Sequence, residues 1–169
     1  METFTLFTFN AKGHEIKLVL PEVWQAEALF DELRKNQTQL SKWLTWANKV
    51  DSVNKEVESI KMFLKKMLDG TAFNLTIFVD GQAKGMIDLH NITQESGEVG
   101  YWLSSDAQHL GIMTKSLNLL SKYAFTQLKL NYLILRAKVD NSASQHVAER
   151  CNFKYLKIED EFEVFRLDK

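Results

Sequence analysis

The run Gln108-His109-Leu110-Gly111-Ile112-Met113-Thr114-Lys115 places a glycine where a chain leaving a strand would enter an amphipathic helix. A turn of that kind leaves the first backbone N–H groups of the helix without intrahelical acceptors and next to the positive end of the helix dipole. The chemistry that suits it is anion binding, with phosphate the expected guest. Gly111 supplies the backbone freedom for a close approach. Behind it, Met113, Leu117, Leu120, Ala124 and Leu128 recur at helical spacing, so one apolar face can seat the helix on a sheet while its N-terminus stays open. Lys115 is either an extra phosphate partner or an ordinary solvated helix residue.

The elements that must position this turn follow from the rest of the chain. Ile16, Leu18 and Leu20 alternate over Glu15 to Leu20, which predicts a strand, and Pro21 suits the first turn of a helix whose buried face is Val23, Ala26, Phe30 and Leu33. A Leu- and Trp-rich segment runs from Gln39 to Trp46. Asp51-Ser52 then caps a second helix, with Val53, Val57, Ile60 and Leu64 on one face, through about Leu68. Asp69-Gly70 ends it, Phe73 to Val79 is a predicted strand, and Asp80-Gly81 turns the chain into another from Ala83 to His90. Glu98 to Leu103 is a third strand of this meander. A helix is predicted over Gly111 to Leu130, a strand over Tyr132 to Val139, a helix over Ser142 to Arg150, and strands over Lys154 to Ile158 and Phe162 to Leu167. That order predicts an α/β (α+β) fold, a mixed sheet with helices on its faces, and residues 1 to 169 as a single domain.

Composition excludes several functions. With 169 residues and 45% hydrophobic content, the chain can bury a core without metal or disulfide. A net charge of -1, with both signs spread along the chain, lacks the basic footprint of a nucleic-acid binder. The single cysteine, Cys151, can neither close an internal disulfide nor form a thiol cluster for zinc, so no metal is expected and a reducing, cytoplasmic setting fits. No apolar run approaches the roughly 20 residues that span a bilayer. The start, Met1-Glu2-Thr3-Phe4, lacks the basic and apolar stretches of a signal peptide, so no membrane partner is expected.

Four segments together resemble the Gcn5-related N-acetyltransferase superfamily, in the branch of the bacterial ribosomal-protein serine/alanine acetyltransferases. Gly85-Met86-Ile87-Asp88-Leu89-His90-Asn91 resembles that family's third strand, and Glu98-Val99-Gly100-Tyr101-Trp102-Leu103 its splayed fourth strand. Gln108-x-x-Gly111-Ile112-Met113-Thr114 resembles its pyrophosphate loop. Asp140-Asn141-Ser142-Ala143-Ser144 with Ala148-Glu149-Arg150-Cys151-Asn152-Phe153 resembles the helix and exit that close the cofactor site. Order and spacing match across about residues 15 to 158. The resemblance implies a mostly antiparallel sheet with a splayed central strand pair. It also implies acetyl-coenzyme A as cosubstrate, with its pyrophosphate on the amides of Gln108, His109, Leu110, Gly111, Ile112, Met113 and Thr114. The family loop often carries glycine and a basic residue where His109 and Leu110 stand, and glycine or alanine where Met113 stands; these departures change side chains, not amides.

Pantetheine is a chain of amides and can bind an unpaired strand edge as another strand would. Val99 to Leu103, including Tyr101, is the implied edge, with the Tyr101 and Trp102 side chains as core and rim aromatics. Asn141 is expected as helix cap, cofactor contact or both. Transfer to an amine needs a proton acceptor, an oxyanion donor and a proton for the leaving sulfur, without a covalent enzyme intermediate. The resemblance puts the hydroxyl of Ser144 near the sulfur, as proton donor. Alternation places Glu98 on the face opposite Val99 and Tyr101, toward the acceptor, as base; His90 is the alternative, and Glu159 and Glu161 could also reach. Trp43-Leu44-Thr45-Trp46 resembles the aromatic segment beside the acceptor. Only Glu159-Asp160-Glu161 separates the last two strands, where relatives commonly carry a longer loop. The expected function is acetyl transfer to a primary amine, a protein N-terminus first, with small amines such as polyamines or antibiotics as alternatives. A domain that binds acyl-coenzyme A without turnover is a separate reading. Assembly as a homodimer stays open.

Overall fold

Eight strands form one sheet in the order β1-β2-β3-β4-β5-β6-β8-β7 in the computed structural model, which describes residues 3–169. Met1 and Glu2, part of the segment expected to lack a signal, lie outside the described residues. The strands are β1 (Thr5–Ala11), β2 (His14–Val19), β3 (Phe73–Val79), β4 (Gln82–His90), β5 (Ser96–Leu103), β6 (Tyr132–Lys138), β7 (Lys154–Glu159) and β8 (Phe162–Asp168). Every ladder is antiparallel except that of β5 with β6.

Helices cover both faces, as the pattern predicts. On one face α4 (Ile112–Thr126) and α5 (Ser142–Arg150) bring Ile112, Leu117, Leu120, Val147 and Ala148 against Ile87, Leu89, Val99, Leu133 and Leu135. On the other, α1 (Ala26–Lys35) and α3 (Val53–Leu68) pack Leu29, Leu33 and Ile60 on Phe78, Met86 and Trp102. The short α2 (Gln37–Leu40) connects them. Period-two alternation in β4 and β5 sorts side chains between the two layers: Ile87, Leu89, Val99 and Leu103 go to the α4 side, Met86 and Trp102 to the α1 side.

Three local expectations are corrected. Strand β1 was not predicted, because adjacent Leu6 and Phe7 both pack against the same core where the register to β2 shifts between Thr5 and Phe7, which breaks the alternation. Its turn, Lys12-Gly13, takes positive φ angles of 50° and 92° without the usual Asn or Asp. After Pro21 the chain makes a 3-10 turn at Val23–Gln25 before α1, leaving Val23 exposed and Leu29 in the core position. The predicted helix to Leu130 stops at Thr126, because Lys129 turns to a φ of 60° while the N–H of Leu130 returns to the Ala124 carbonyl at 3.1 Å. Leu128 still reaches the core, which is why its spacing reads as helical.

One buried charge on α3 stands out. Glu56, 3% exposed, lies on the core face one turn before Ile60, and burial pushes its carboxyl up to about 7. Its place in the first turn of α3 recovers only part of that cost. An acid whose pKa is higher folded than unfolded stabilises the fold fully below about 4.5 and loses that contribution as pH rises toward 7. The Glu56→Gln variant should therefore gain stability relative to the parent between pH 4.5 and 8, by on the order of 2 kcal/mol in denaturant titrations. A pH-independent difference would contradict the assignment.

Candidate active site

Strands β5 and β6 pair only from Ser96↔Tyr132 to Val99↔Leu135. Beyond Val99 they part: Gly100 to Leu103 stay paired with β4 alone, and Arg136 to Lys138 with β8 alone. The unpaired β5 edge that results is Gly100 to Leu103, with Val99 as the last residue of the ladder. A parted parallel pair in mid-sheet leaves backbone donors and acceptors facing a gap, which an extended amide chain can fill by β-addition. Gly85 fixes the approach of β4 to β5, because a Cβ there would stand 2.3 Å from the Trp102 carbonyl oxygen.

At the far end of β5 the chain passes a 3-10 turn, Ser105–Ala107, and reaches the loop before α4. His109 and Gly111 both take the left-handed region, with φ of 61° and 78°. Gly111 is the N-cap of α4; no side chain caps the helix and its first turn holds no acidic residue. Among the described residues, the N–H groups of residues 109 to 114 donate to no protein acceptor, the helix ladder starting with Lys115 N–H to Gly111 at 3.2 Å. This is a row of amides at the positive end of a helix, beside the parted strands, and its chemistry is suited to a diphosphate.

The loop is braced from both sides. The Lys12 ammonium donates to the His109 carbonyl at 2.8 Å, and Lys115 donates to the Asn10 carbonyl at 2.7 Å, so the β1–β2 turn and the loop grip each other. Lys115, expected as either an extra phosphate partner or a solvated helix residue, is thus engaged with the turn. Gln108 donates to the Leu103 carbonyl at 3.2 Å. Buried Ser104 donates to Glu32 of α1 at 2.7 Å and accepts from Asn36 at 3.0 Å, and Lys84 bridges Glu32 (3.2 Å) and Asp106 (2.8 Å). Helix α1 therefore holds the end of β5.

On the α5 side of the gap, Asn141 accepts from the Ser144 N–H at 3.2 Å as an N-cap. The Ser144 hydroxyl makes no hydrogen bond to the main chain among the described residues. The Tyr101 hydroxyl donates to the Ser144 carbonyl at 3.5 Å, bringing that side chain across the gap. Burial pushes the Tyr101 phenol up to about 12, so it stays protonated. Burial also pushes the Cys151 thiol up to about 11, which leaves it inert as a nucleophile. Asn152 takes the left-handed φ of 63° that ends α5.

On the α1 and α3 side of the sheet lies a row of alternating charges. His90 Nδ1 is 2.7 Å from Asp88, His90 Nε2 is 3.7 Å from Glu98, and Glu98 is 3.4 Å from Arg136 Nε. Arg136 also pairs with Glu159, which Lys157 holds from the other side at 2.9 Å. Asp88 and Glu98 together raise the His90 imidazole to about 9, so it is an imidazolium at neutral pH and a poor proton acceptor. The ion pairs with His90 and then Arg136 hold the Glu98 carboxyl below its ordinary value against the effect of half-burial.

The geometry thus brings Glu98 and His90 together on one face and Tyr101 with Ser144 on the other, around the start of the gap. Glu159 joins the charged row through Arg136 and belongs to β7, leaving Asp160-Glu161 as the turn; Glu161 pairs outward with Lys138 at 3.5 Å. Trp43 is half-buried, whereas Trp46 is 40% exposed. Sequence reasoning missed Asp88 and Arg136, although Asp88 and His90 share a face by the alternation that places Glu98. It also missed Lys12 and Glu32, whose contacts span 97 and 72 residues.

Comparison with known proteins gives a consistent picture. The acetyltransferase (GNAT) domain family matches residues 16–154. The Bacillus subtilis protein YdaF, provisionally named a ribosomal N-acetyltransferase, is 34% identical over 151 residues, 88% of this chain and 82% of its own length. Among solved structures, a ribosomal L7/L12 α-N-protein acetyltransferase, RimL, in complex with coenzyme A superposes with a TM-score of 0.86 at 21% identity, covering 96% of this chain and 98% of that one. The microcin C7 self-immunity acetyltransferase MccE, in complex with acetyl-CoA and AMP, superposes with a TM-score of 0.83 at 22% identity, covering 91% and 92%. Among the described residues, no group of three or more His, Cys, Asp or Glu could hold a metal ion, and no helix is long and apolar enough to cross a membrane.

Gly111 tests the anion site. A Cβ there meets nothing within 4 Å, so a substitution acts through the positive φ alone. Gly111→Val should weaken coenzyme A binding about 10-fold or more by calorimetry, because a β-branched residue strains this backbone by about 1–2 kcal/mol and turns the amides away. Unchanged affinity would contradict the loop assignment.

Proposed function

The chain belongs to the acetyltransferase (GNAT) domain family, and from that premise we propose that all 169 residues form one domain that transfers the acetyl group of acetyl-CoA to a primary amine, with a protein N-terminus as the acceptor. The observation that carries this is the pairing of a parted β5–β6 edge with the unengaged amides of residues 109 to 114. A thioester cofactor needs both: the diphosphate on the helix N-terminus and the pantetheine along the strand edge. The protein N-terminus is supported by the names of YdaF and of RimL. A cytoplasmic setting goes with that acceptor.

In the proposed reaction the neutral amine attacks the thioester carbonyl carbon and a C–N bond forms as the carbonyl oxygen takes up negative charge. A β5 backbone N–H stabilises that oxygen. Glu98 accepts the proton that the amine nitrogen sheds. The intermediate collapses, the C–S bond breaks, and the Ser144 hydroxyl supplies a proton to the thiolate and regains one from solvent, as Glu98 returns its proton to solvent. Cys151 takes no part, consistent with direct transfer rather than an acyl-enzyme.

A small-molecule amine is the second reading. It is favoured by the likeness to MccE and by the short Asp160-Glu161 turn, which leaves the acceptor side open.

Two measurements test these assignments. Mass spectrometry of acceptors after incubation with acetyl-CoA should show a 42 Da gain on peptide N-termini; acetylation of small amines alone would favour the second reading, and no acetylated product with any amine would refute transfer. Glu98→Gln should lower turnover about 10²–10⁴-fold with coenzyme A affinity nearly intact. Unchanged turnover would remove Glu98 from the mechanism.

A further inference from the structure

Asp88 has so far entered only as the partner of His90, yet its surroundings are built around it. It sits on β4 opposite Gly100, the first residue of the unpaired β5 edge. A Cβ on Gly100 would stand 2.8 Å from Asp88 Oδ2, 3.1 Å from Oδ1 and 3.2 Å from His90 Cε1, so the absence of a side chain there is what gives the Asp88–His90 pair its place. One ring nitrogen, Nδ1, bonds Asp88 at 2.7 Å, which fixes the imidazole and points the other toward Glu98 at 3.7 Å.

We infer that Asp88 is a positioning residue: lodged over Gly100, its carboxylate fixes the orientation and charge of His90 against Glu98. The inference rests on the proposed acetyl transfer with Glu98 as proton acceptor. Held by Nδ1, His90 brings Nε2 to 3.7 Å from Glu98 Oε1, the same oxygen that Arg136 Nε approaches at 3.4 Å, so both cations lie against one oxygen of the carboxylate. Glu98 is thereby kept ionised, with its second oxygen outside both ion pairs. The charged groups facing His90 are Asp88 on its own strand and Glu98 on β5, with Arg136 of β6 and Glu159 of β7 behind Glu98. Catalytic carboxylate–imidazole pairs use the same principle, in which the partner of one nitrogen decides what the other does.

The test is the titration of His90 by NMR in the unliganded full chain, with His90→Gln used to assign its resonance among the four histidines. The parent should titrate near pH 9. Asp88→Asn, which keeps the shape and removes the charge, should move the midpoint down by at least one unit. Gly100→Ala should shift it in the same direction by displacing the carboxylate, and stands in if Asp88→Asn does not fold. The pH profile of kcat/KM for Asp88→Asn should gain an inflection at the new His90 midpoint that the parent lacks, with KM for acetyl-CoA unchanged. A His90 midpoint that stays near 9 in both variants overturns the inference, as does a shifted midpoint with no new inflection. The titration uses no substrate, so it is decided even if no amine is acetylated, and the two failures are distinguishable.

Discussion

The parting of β5 from β6 after Val99 is the constraint on which the rest of the structure depends. Buried backbone donors and acceptors are costly to leave without partners, so two central strands do not separate without something to fill the gap. Here the separation is imposed by packing. On one side Trp102 and Met86 lock β5 under α1 and α3; on the other, Leu133 and Leu135 tie β6 to the α4 layer. The hydrophobic layers therefore hold the gap open. On the proposed reading, the amides that line it and those of residues 109 to 114 at its end form a binding surface prepared before any ligand arrives.

Preparation costs stability, and the chain spreads that cost over long-range contacts. Lys12 and Lys115 interlock the β1–β2 turn with the loop, and Glu32, Asn36 and Ser104 anchor the end of β5 to α1. Glu32 is buried but bonds two lysines and a serine, so its carboxyl is held below its ordinary value, unlike that of Glu56, which burial alone raises. The same contrast explains the acceptor face. Glu98 and His90 are each half-buried but sit in a row of alternating sign, so both keep their charge.

Most of the fold was legible because β3 and β4 are short runs bounded by the turn signals Asp69-Gly70 and Asp80-Gly81, β6 alternates, and the helices carry single apolar faces. β1 was not, since a register shift between Thr5 and Phe7 sets adjacent Leu6 and Phe7 against the same core, and the end of α4 was not, since Leu128 keeps helical spacing after the helix has stopped. The geometry of the proposed cofactor loop was legible as a local pattern: Gly111, a free first turn and the apolar stripe behind it are contiguous. The charged row was only half legible. Alternation placed Glu98 opposite Val99 and Tyr101, with His90 as the alternative base, but the charge state of His90 depends on Asp88 and Glu98 acting across two strands, and Arg136 arrives from a third. Register between strands, which periodicity does not encode, decides those meetings.

The central claim is most directly tested by a crystal structure of the protein grown with acetyl-CoA. The account requires the diphosphate within hydrogen-bond distance of the amides of residues 109 to 114 and the pantetheine extended along Gly100 to Leu103, with the thioester between Glu98 and Ser144. A gap filled by side chains, or a cofactor lodged elsewhere, would contradict it.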